Sequence, residues 1–374
     1  MSHFEGSVKE NELNPRGIVL CVGFAAFLFQ FEAFFVHIAL PDLQRELGAT
    51  LDQVTRVMTV YLAGAILALL PAGFLGRVIG FGRTFILGSW IAVLSVAFCG
   101  FVDSLKGLWL LRFVQGSGIG LMVAAGYTII PMWVERERWG WGFGRVSQGA
   151  GLGMILGLPA GGVIAHFLSW HWIFLSQIPM VLGLALFAIK TLPRDCRPQG
   201  SGVIVPSGFS QIFSLSAVRS SFLSLIFFHA LMSGARFLAP FYMASALGLN
   251  SLHSSAIMLF YALGFVFSAG VSGRLSDREG PGFLLSLSYV LGALGCFSLA
   301  AFSQFVSVAG AVVMVLLLGI STGLFSPSNN RLLMSGIPPE CIQTMGAMLP
   351  IAINLGVFSG MWLFQEVFDG ISGG

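Results

Sequence analysis

One long apolar run, residues 17–41, limits what this chain can fold into more than any other feature. It reads GIVLCVGFAAFLFQFEAFFVHIALP and contains a single carboxylate, Glu32. A helix needs about 20 mostly apolar residues to cross the hydrocarbon core of a bilayer, so the run predicts a membrane-spanning helix. An ionisable residue inside such a helix costs roughly 3 kcal/mol on insertion scales, and neutralising a carboxyl at pH 7 costs a similar amount. Glu32 is therefore the first candidate functional residue, since both its ionised and its protonated form are accessible.

The rest of the chain has the same character. Hydrophobic residues make up 56% and charged residues 9%, whereas soluble domains carry about 25% charged residues. Short polar breaks separate eleven predicted helices, near residues 17–41, 54–75, 83–102, 107–133, 142–167, 171–191, 219–246, 253–272, 283–303, 306–327 and 342–366. The sequence thus predicts an all-α membrane protein.

A segment rich in Pro, Gly and Ser divides these helices into six and five, which favours two membrane halves. The predicted units are a cytoplasmic N-terminal tail (1–16), a six-helix bundle (17–191), a cytoplasmic linker (192–218) and a five-helix bundle (219–374). If the N-terminus is cytoplasmic, 14 of the 19 Lys and Arg residues lie on that side, 3 lie outside and 2 lie within helices. This bias predicts a multi-pass protein of the cell (inner or plasma) membrane with a cytoplasmic N-terminus.

Five short segments carry a family resemblance. The segments are GRLSDREG at 273–280, LRFVQGSG at 111–118, GMILGLPAGG at 153–162, WHWIFLSQIP at 170–179 and FEAFFVHIALP at 31–41. In the same order, they resemble the signatures GxLxDRxG, RxxQGxG, GPxxGG, WRWIFxINxP and LDxTIVNVALP of the major facilitator superfamily. The last two signatures are those of its drug:proton antiporter-2 branch.

The resemblance implies a major facilitator fold, with two pseudo-symmetric helical bundles around a central cavity. It implies secondary active transport, specifically proton-coupled antiport (efflux) of small apolar or amphipathic compounds such as drugs. The expected partners are a small-molecule substrate, protons and the lipid bilayer, with no nucleic acid. We expect a monomer, with accessory export subunits as a possible addition, and the proton motive force in place of any cofactor. The alternatives are a specific metabolite transporter and a degenerate, non-transporting paralogue; an enzyme is not expected, because the sequence shows no metal cluster, nucleotide loop or nucleophile constellation.

Three residues are candidates for proton coupling: Glu32, Arg112 and His37. A guanidinium keeps its charge at physiological pH, so Arg112 must face a partner or a polar cavity. It either tunes Glu32 or reaches the outer headgroups. Imidazole titrates near neutrality, so His37 is either a proton relay or an ordinary hydrogen-bonded residue.

Four residues are candidates for the substrate cavity: Arg236, His229, Phe31 and Phe35. Arg236 has no acidic neighbour in sequence. It is a site for an anionic group, a link to Glu32 across the halves, or a side chain that reaches towards headgroups or helix ends. His229 has the same two interpretations as His37.

The last set predicts a conformational latch. Asp277 and Arg278 lie in a turn with Gly273 and Gly280, and pairing with a basic residue or a helix N-terminus in the other half, around Arg145, would stabilise one state. The alternative is a solvated loop charge. Gly157, Pro159, Gly161 and Gly162 in the fifth helix predict either a gating bend or static close packing.

The sequence also departs from the family pattern. The corresponding first-half segment, GFLGRVIGFGR at 73–83, lacks the acidic residue, and its spacing is interpreted as stretched. The linker is too short for the two additional helices of the branch. No twelfth apolar run is seen, so we expect either a shortened protein or a fragment.

Overall fold

A computed structural model describes residues 14–36, 43, 46, 48–193, 214–249, 251–301, 307–338 and 341–372. Within these ranges the regular secondary structure is helical. His37, the tail before residue 14 and most of the linker lie outside the described residues. The predictions for them therefore stay predictions.

In the described ranges, twelve α-helices correspond to the eleven predicted crossings, because the sixth crossing consists of two segments. They are α1 (Pro15–Phe35), α2 (Leu51–Ile79), α3 (Phe81–Cys99), α4 (Leu105–Trp133), α5 (Trp139–Phe167), α6 (His171–Leu175), α7 (Ile178–Thr191), α8 (Ser216–Leu247), α9 (Ser251–Glu279), α10 (Gly282–Ala301), α11 (Val308–Ser335) and α12 (Ile342–Ser372). The interruption between α6 and α7 precedes Pro179, which has no backbone N–H to continue the hydrogen-bond ladder. Nine crossings of the described chain are long and apolar enough to span a membrane, and α10 contributes a shorter apolar stretch. The protein is therefore a multi-pass membrane protein.

Polar caps explain several helix starts. The Thr50 side chain accepts from the amide of Gln53, whose own side chain bonds back to the Thr50 amide, which is a complete capping box before α2. Ser104 and Ser307 cap α4 and α11 in the simpler way. These caps satisfy backbone donors that the first helical turn leaves without partners.

The helices pack in a pattern that occurs twice. In the N-terminal half (α1–α7), α1 packs on α5, α2 on α4 and α3 on α4. In the C-terminal half (α8–α12), α8 packs on α12, α9 on α11 and α10 on α11. The halves meet where α5 packs on α9 and α12 packs on α2 and α4. This repetition is the pseudo-symmetric two-bundle architecture that the resemblance implied.

The repetition extends to single residues. Helices α2 and α9 both have 29 residues, and Tyr61 and Tyr261 each lie ten residues after the first residue of their helix. The backbone of Tyr61 is in close contact with Gly116 of α4, and that of Tyr261 with Gly319 of α11. A Cβ at either glycine would overlap the tyrosine carbonyl, so the same close approach of two helices is built in both halves.

The interpretation of a stretched first-half loop is wrong. Gly80 follows α2 with φ +96°, and Gly280 follows α9 with φ +82°, so in both halves the helix is followed by a glycine with a positive φ. Gly73 and Leu75 therefore correspond to Gly273 and Leu275, and the spacing is conserved between the halves. Among the positions that the signature specifies, two differ: Arg77 and Val78 stand in place of Asp277 and Arg278.

Candidate functional site

The Glu32 carboxylate lies in a closed polar triad inside the N-terminal half. Its Oε2 accepts a hydrogen bond from Nη1 of Arg112 at 2.6 Å, and its Oε1 accepts one from Nε2 of Gln115 at 2.6 Å. The same Arg112 nitrogen also donates to Oε1 of Gln115 at 2.7 Å. Each of the three side chains is no more than 1% exposed. Of the two interpretations of Arg112, the structure shows the pairing with Glu32.

Helix geometry explains why Arg112 and Gln115 act together. They are three residues apart in α4, so they project from the same face of the helix towards α1. Tyr61 of α2 covers the guanidinium, whose central carbon lies 4.2 Å from the ring centre, and Phe174 approaches it at 5.7 Å. The Arg112 Nε and Nη2 atoms and the Tyr61 hydroxyl have no hydrogen-bond partner within the described part of the chain. Both carboxylate oxygens of Glu32 thus accept a hydrogen bond, whereas two of the three Arg112 nitrogens have no described partner.

The Glu32–Arg112 ion pair is a weak source of stability for the fold. Removing two charges from water is costly, and their attraction only partly offsets that cost. Protonation of Glu32 would abolish the ion pair while leaving Arg112 charged and buried.

The predicted aromatic lining of the substrate cavity lies in the core in this conformation. Phe31 and Phe35 are 5% and 1% exposed, and their rings stack with centres 4.6 Å apart. The backbone of Phe35 packs on Gly161 of α5, which explains the close contact between α1 and α5. Helix α5 runs through Gly157, Pro159, Gly161 and Gly162 without interruption.

In the C-terminal half, Arg236 is half-buried and approaches Tyr261. Its Nη1 lies 3.4 Å from the Tyr261 hydroxyl, and its guanidinium carbon lies 5.4 Å from the ring centre. The Tyr261 hydroxyl donates to Thr322 at 3.4 Å. His229, nearly two turns before Arg236, donates from Nδ1 to the Leu225 carbonyl of its own helix at 2.9 Å. The link between Arg236 and Glu32 is not formed here, because Arg112 and Gln115 occupy the carboxylate.

The candidate latch residue Asp277 connects the two halves. Its Oδ1 accepts from the Gly140 amide at 2.8 Å and its Oδ2 from the Trp141 amide at 2.7 Å. Both amides belong to the first turn of α5, where donors lack intrahelical partners and the helix dipole favours an anion. Arg331 of α11 holds the same carboxylate through Nε at 2.8 Å. The helix predicted from sequence is the correct one, and its backbone rather than Arg145 makes the contact.

The other predicted latch residues have different environments. Arg145 is exposed and donates to Gln148 at 3.1 Å. Arg278 is exposed. Gly273 lies against the Gly140 carbonyl and Gly144, so that α5 and α9 touch backbone to backbone beside Asp277. The predicted turn is shorter than expected, because Gly273, Asp277 and Arg278 belong to the end of α9 and only Gly280 follows it.

Two further hydrogen bonds join the halves at this end of the molecule, which we call the Asp277 end: the end where α2 and α9 finish and α5 and α12 begin. Arg77 donates through Nη2 to the Thr344 hydroxyl at 2.9 Å, and Arg136 donates to the Ser335 carbonyl at 2.6 Å. The Asp277 end is therefore closed in this conformation.

Sequence reasoning did not assign roles to Gln115, Tyr61, Arg331 or Arg77. For Gln115 a signal existed, since it follows Arg112 by three residues and lies within the same quoted motif. For Arg331 and Tyr61 none existed, because each reaches its partner from another helix.

Two repeated halves of membrane-spanning helices around buried charged side chains define a membrane transporter of the two-bundle class. The chain belongs to the Major Facilitator Superfamily, whose model matches residues 22–361.

Named relatives agree with this assignment. The chain is 23% identical over 399 residues to riboflavin transporter RibZ of Clostridioides difficile, covering 94% of this chain and 87% of that protein. It is 27% identical over 312 residues to a protein of Cronobacter sakazakii named as multidrug resistance protein MdtD, covering 82% of this chain and 64% of that protein. The structure of the Escherichia coli fucose:proton symporter FucP superposes with a TM-score of 0.74 at 15% identity, covering 95% of this chain and 92% of the other. At that identity the likeness shows the fold alone.

Proposed function

We propose that this transporter exports small amphipathic compounds in exchange for protons, with Glu32 as the proton carrier. The observation that carries the proposal is the Glu32–Arg112–Gln115 triad. Its Glu32–Arg112 contact is the only described ion pair in which both side chains are at most 1% exposed. A buried carboxylate paired with a permanent cation couples protonation to the breaking of a contact between α1 and α4. The homologue named as multidrug resistance protein MdtD supports efflux of this kind.

The closed Asp277 end suggests where the described conformation lies in the cycle. By the distribution of basic residues, that end faces the cytoplasm. In this state Glu32 would exchange protons with the opposite side of the membrane. A proton taken up there would release Arg112 from its partner, and the rocking of the two halves would carry the proton inward while substrate moves outward.

Transport in proteoliposomes tests the proposal. The purified protein is reconstituted with a pH-sensitive dye inside, a pH gradient is imposed, and amphipathic dyes are added. Proton flux that depends on the added compound is expected. Compound movement that ignores the gradient would contradict proton coupling, and the absence of movement for the whole panel would contradict efflux of amphipathic compounds.

A second candidate function is transport of one defined metabolite, which the homologue named as a riboflavin transporter favours. Riboflavin belongs in the same assay as the amphipathic dyes. Movement of riboflavin with no response to the dyes would favour this candidate over broad export.

A further inference from the structure

We propose that Arg236 and Tyr261 bind an anionic group of the transported compound, so that the preferred substrates are amphipathic organic anions. This inference rests on the transport function proposed above. It adds the charge of the substrate and the residues that recognise it.

The observation behind it is that each half contains an arginine beside a tyrosine, but only the arginine of the N-terminal half has a described carboxylate as its partner. Tyr61 and Tyr261 occupy the same position in α2 and α9, and each has a guanidinium near its ring, at 4.2 Å for Arg112 and 5.4 Å for Arg236. In the N-terminal half, Glu32 neutralises the arginine. In the C-terminal half, the described residues provide no carboxylate in that place, and the arginine stays half-buried.

No described acidic side chain of the C-terminal half is placed to take this role. Asp277 lies sixteen residues after Tyr261 in α9, which is about 24 Å along the helix axis. It is also engaged by Arg331 and by the start of α5. Glu32, across the interface, is already engaged by Arg112 and Gln115.

The polar contacts that Arg236 does make are weak. Its hydrogen bond to the Tyr261 hydroxyl is 3.4 Å long, beyond the usual range for N–H···O bonds. A guanidinium cannot lose its proton, so a half-buried one at membrane depth is stabilised when an anion arrives. Carboxylates accept two parallel hydrogen bonds from this group, and the neighbouring tyrosine ring contributes an apolar surface. A neutral compound of the same shape would supply no counter-charge to the arginine, and neither does any described side chain.

Ligand binding to the purified, detergent-solubilised protein tests this without any gradient. The probes are aryl carboxylates, each paired with its own primary amide, for example 2-naphthoate with 2-naphthamide. The two members of a pair differ mainly in charge. We expect the carboxylate to bind about tenfold more tightly or better, as a charge-assisted hydrogen bond predicts. If no carboxylate in the panel binds more tightly than its amide, the proposal is overturned.

Variants assign the preference to Arg236. Arg236→Gln should remove the preference for the carboxylate, and Arg236→Lys should retain part of it because the charge remains without the planar fork. Lys106→Gln is the matched control, since it removes one exposed positive charge from the start of α4 and should leave the preference intact. A preference that survives Arg236→Gln, or that Lys106→Gln abolishes, would place the anion elsewhere. If Arg236→Gln fails to fold, Arg236→Lys decides the matter, since undiminished preference there would contradict a role for the guanidinium fork.

Glu32→Gln separates this inference from the proposed function. It should keep the carboxylate preference while losing proton coupling. Gradient-driven transport without any charge preference would overturn the anion site alone, whereas charge preference without gradient dependence in the unmodified protein would overturn proton coupling alone.

Discussion

Arg77 and Asp277 occupy the same position in the two halves of the protein and carry opposite charges. Each lies two residues before the end of a 29-residue helix, and each reaches across the interface to the start of a helix in the other half. Asp277 accepts two backbone amides from α5, as an anion at a helix N-terminus should. Arg77 cannot accept those bonds and donates instead to the Thr344 side chain of α12. Two helix contacts close this end, which we call seams: the α5–α9 seam at Asp277 and the α2–α12 seam at Arg77. The α5–α9 seam has the stronger hydrogen bonds.

Replacing Arg77 with aspartate should strengthen the contact between α2 and α12, the weaker of the two seams. Arg77→Asp provides a carboxylate that can accept amide hydrogen bonds from the first turn of α12, whereas Arg77→Ala removes one hydrogen bond. Spin labels at the exposed positions Glu137 and Glu279, after replacement of the five cysteines, report the distance across the Asp277 end. We expect a larger closed population for Arg77→Asp and a slightly smaller one for Arg77→Ala. A decrease for Arg77→Asp would contradict the equivalence of the two positions.

Loss of the charge on Asp277 should weaken the contact between α5 and α9, the stronger of the two seams. Asp277→Asn weakens the bonds to the α5 amides and to Arg331, and hydrogen bonds to charged groups are worth roughly 1.5–3 kcal/mol each. The labelled pair should show a reduced closed population, and transport turnover should fall because one state of the cycle is less stable. Glu279→Gln, at an exposed position two residues later, serves as the control in the turnover assay. An unchanged closed population and turnover in Asp277→Asn would argue against a latch.

The glycine contact between α5 and α9 gives a purely steric test. A Cβ at Gly273 would overlap the Gly140 carbonyl, so Gly273→Ala should disfavour the closed Asp277 end. Gly183 in α7 has open space around it, which makes Gly183→Ala a matched control. Distance measurements on both variants should show a shift for the first and none for the second. Equal label distances in the two variants would mean that the contact between α5 and α9 at Gly273 does not control the closure of this end.

Glu32→Gln should leave the protein folded and uncouple it from the pH gradient. The amide can still accept from Arg112 and bond to Gln115, but it cannot bind and release a proton. In proteoliposomes we expect substrate exchange to continue while compound-dependent proton flux disappears. Glu137→Gln, which changes an exposed carboxyl, should behave like the unmodified protein. Proton flux that persists in Glu32→Gln would remove Glu32 from the coupling mechanism.

Removing only the arginine should cost more than removing both charges. Arg112→Gln leaves the Glu32 carboxylate buried without its counter-charge, and breaking a buried pair in this way costs about 3–5 kcal/mol. The double variant with Glu32→Gln and Arg112→Gln should recover part of that loss, because no charge is then left unpaired. Thermal unfolding of the single and double variants in detergent measures the coupling between the two residues. Additive losses would mean that the pair contributes no interaction energy of its own.

The sequence alone determined the helical, multi-pass class of the protein. Its eleven predicted crossings compare with nine helices of the described residues that are long and apolar enough to span a membrane. The class and the predicted crossings follow from the length of apolar runs and from the glycine turns, which are local properties of the chain. The sequence also singled out Glu32, Arg112 and Asp277 as candidate functional residues, because a charge beside or inside an apolar run is visible without any structure.

Only the tertiary structure decided which groups these charges meet. Glu32 and Arg112 are eighty residues apart, and the rotation of α1 and α4 about their own axes determines whether they face each other. Arg331 counted in the sequence only as a basic residue near the membrane, yet it holds Asp277. The equivalence of Arg77 and Asp277 required the positive φ of Gly80, since the missing acidic residue had suggested a different spacing. Partners such as these depend on how helices pack against each other, and that packing is a property of the whole chain rather than of any one segment.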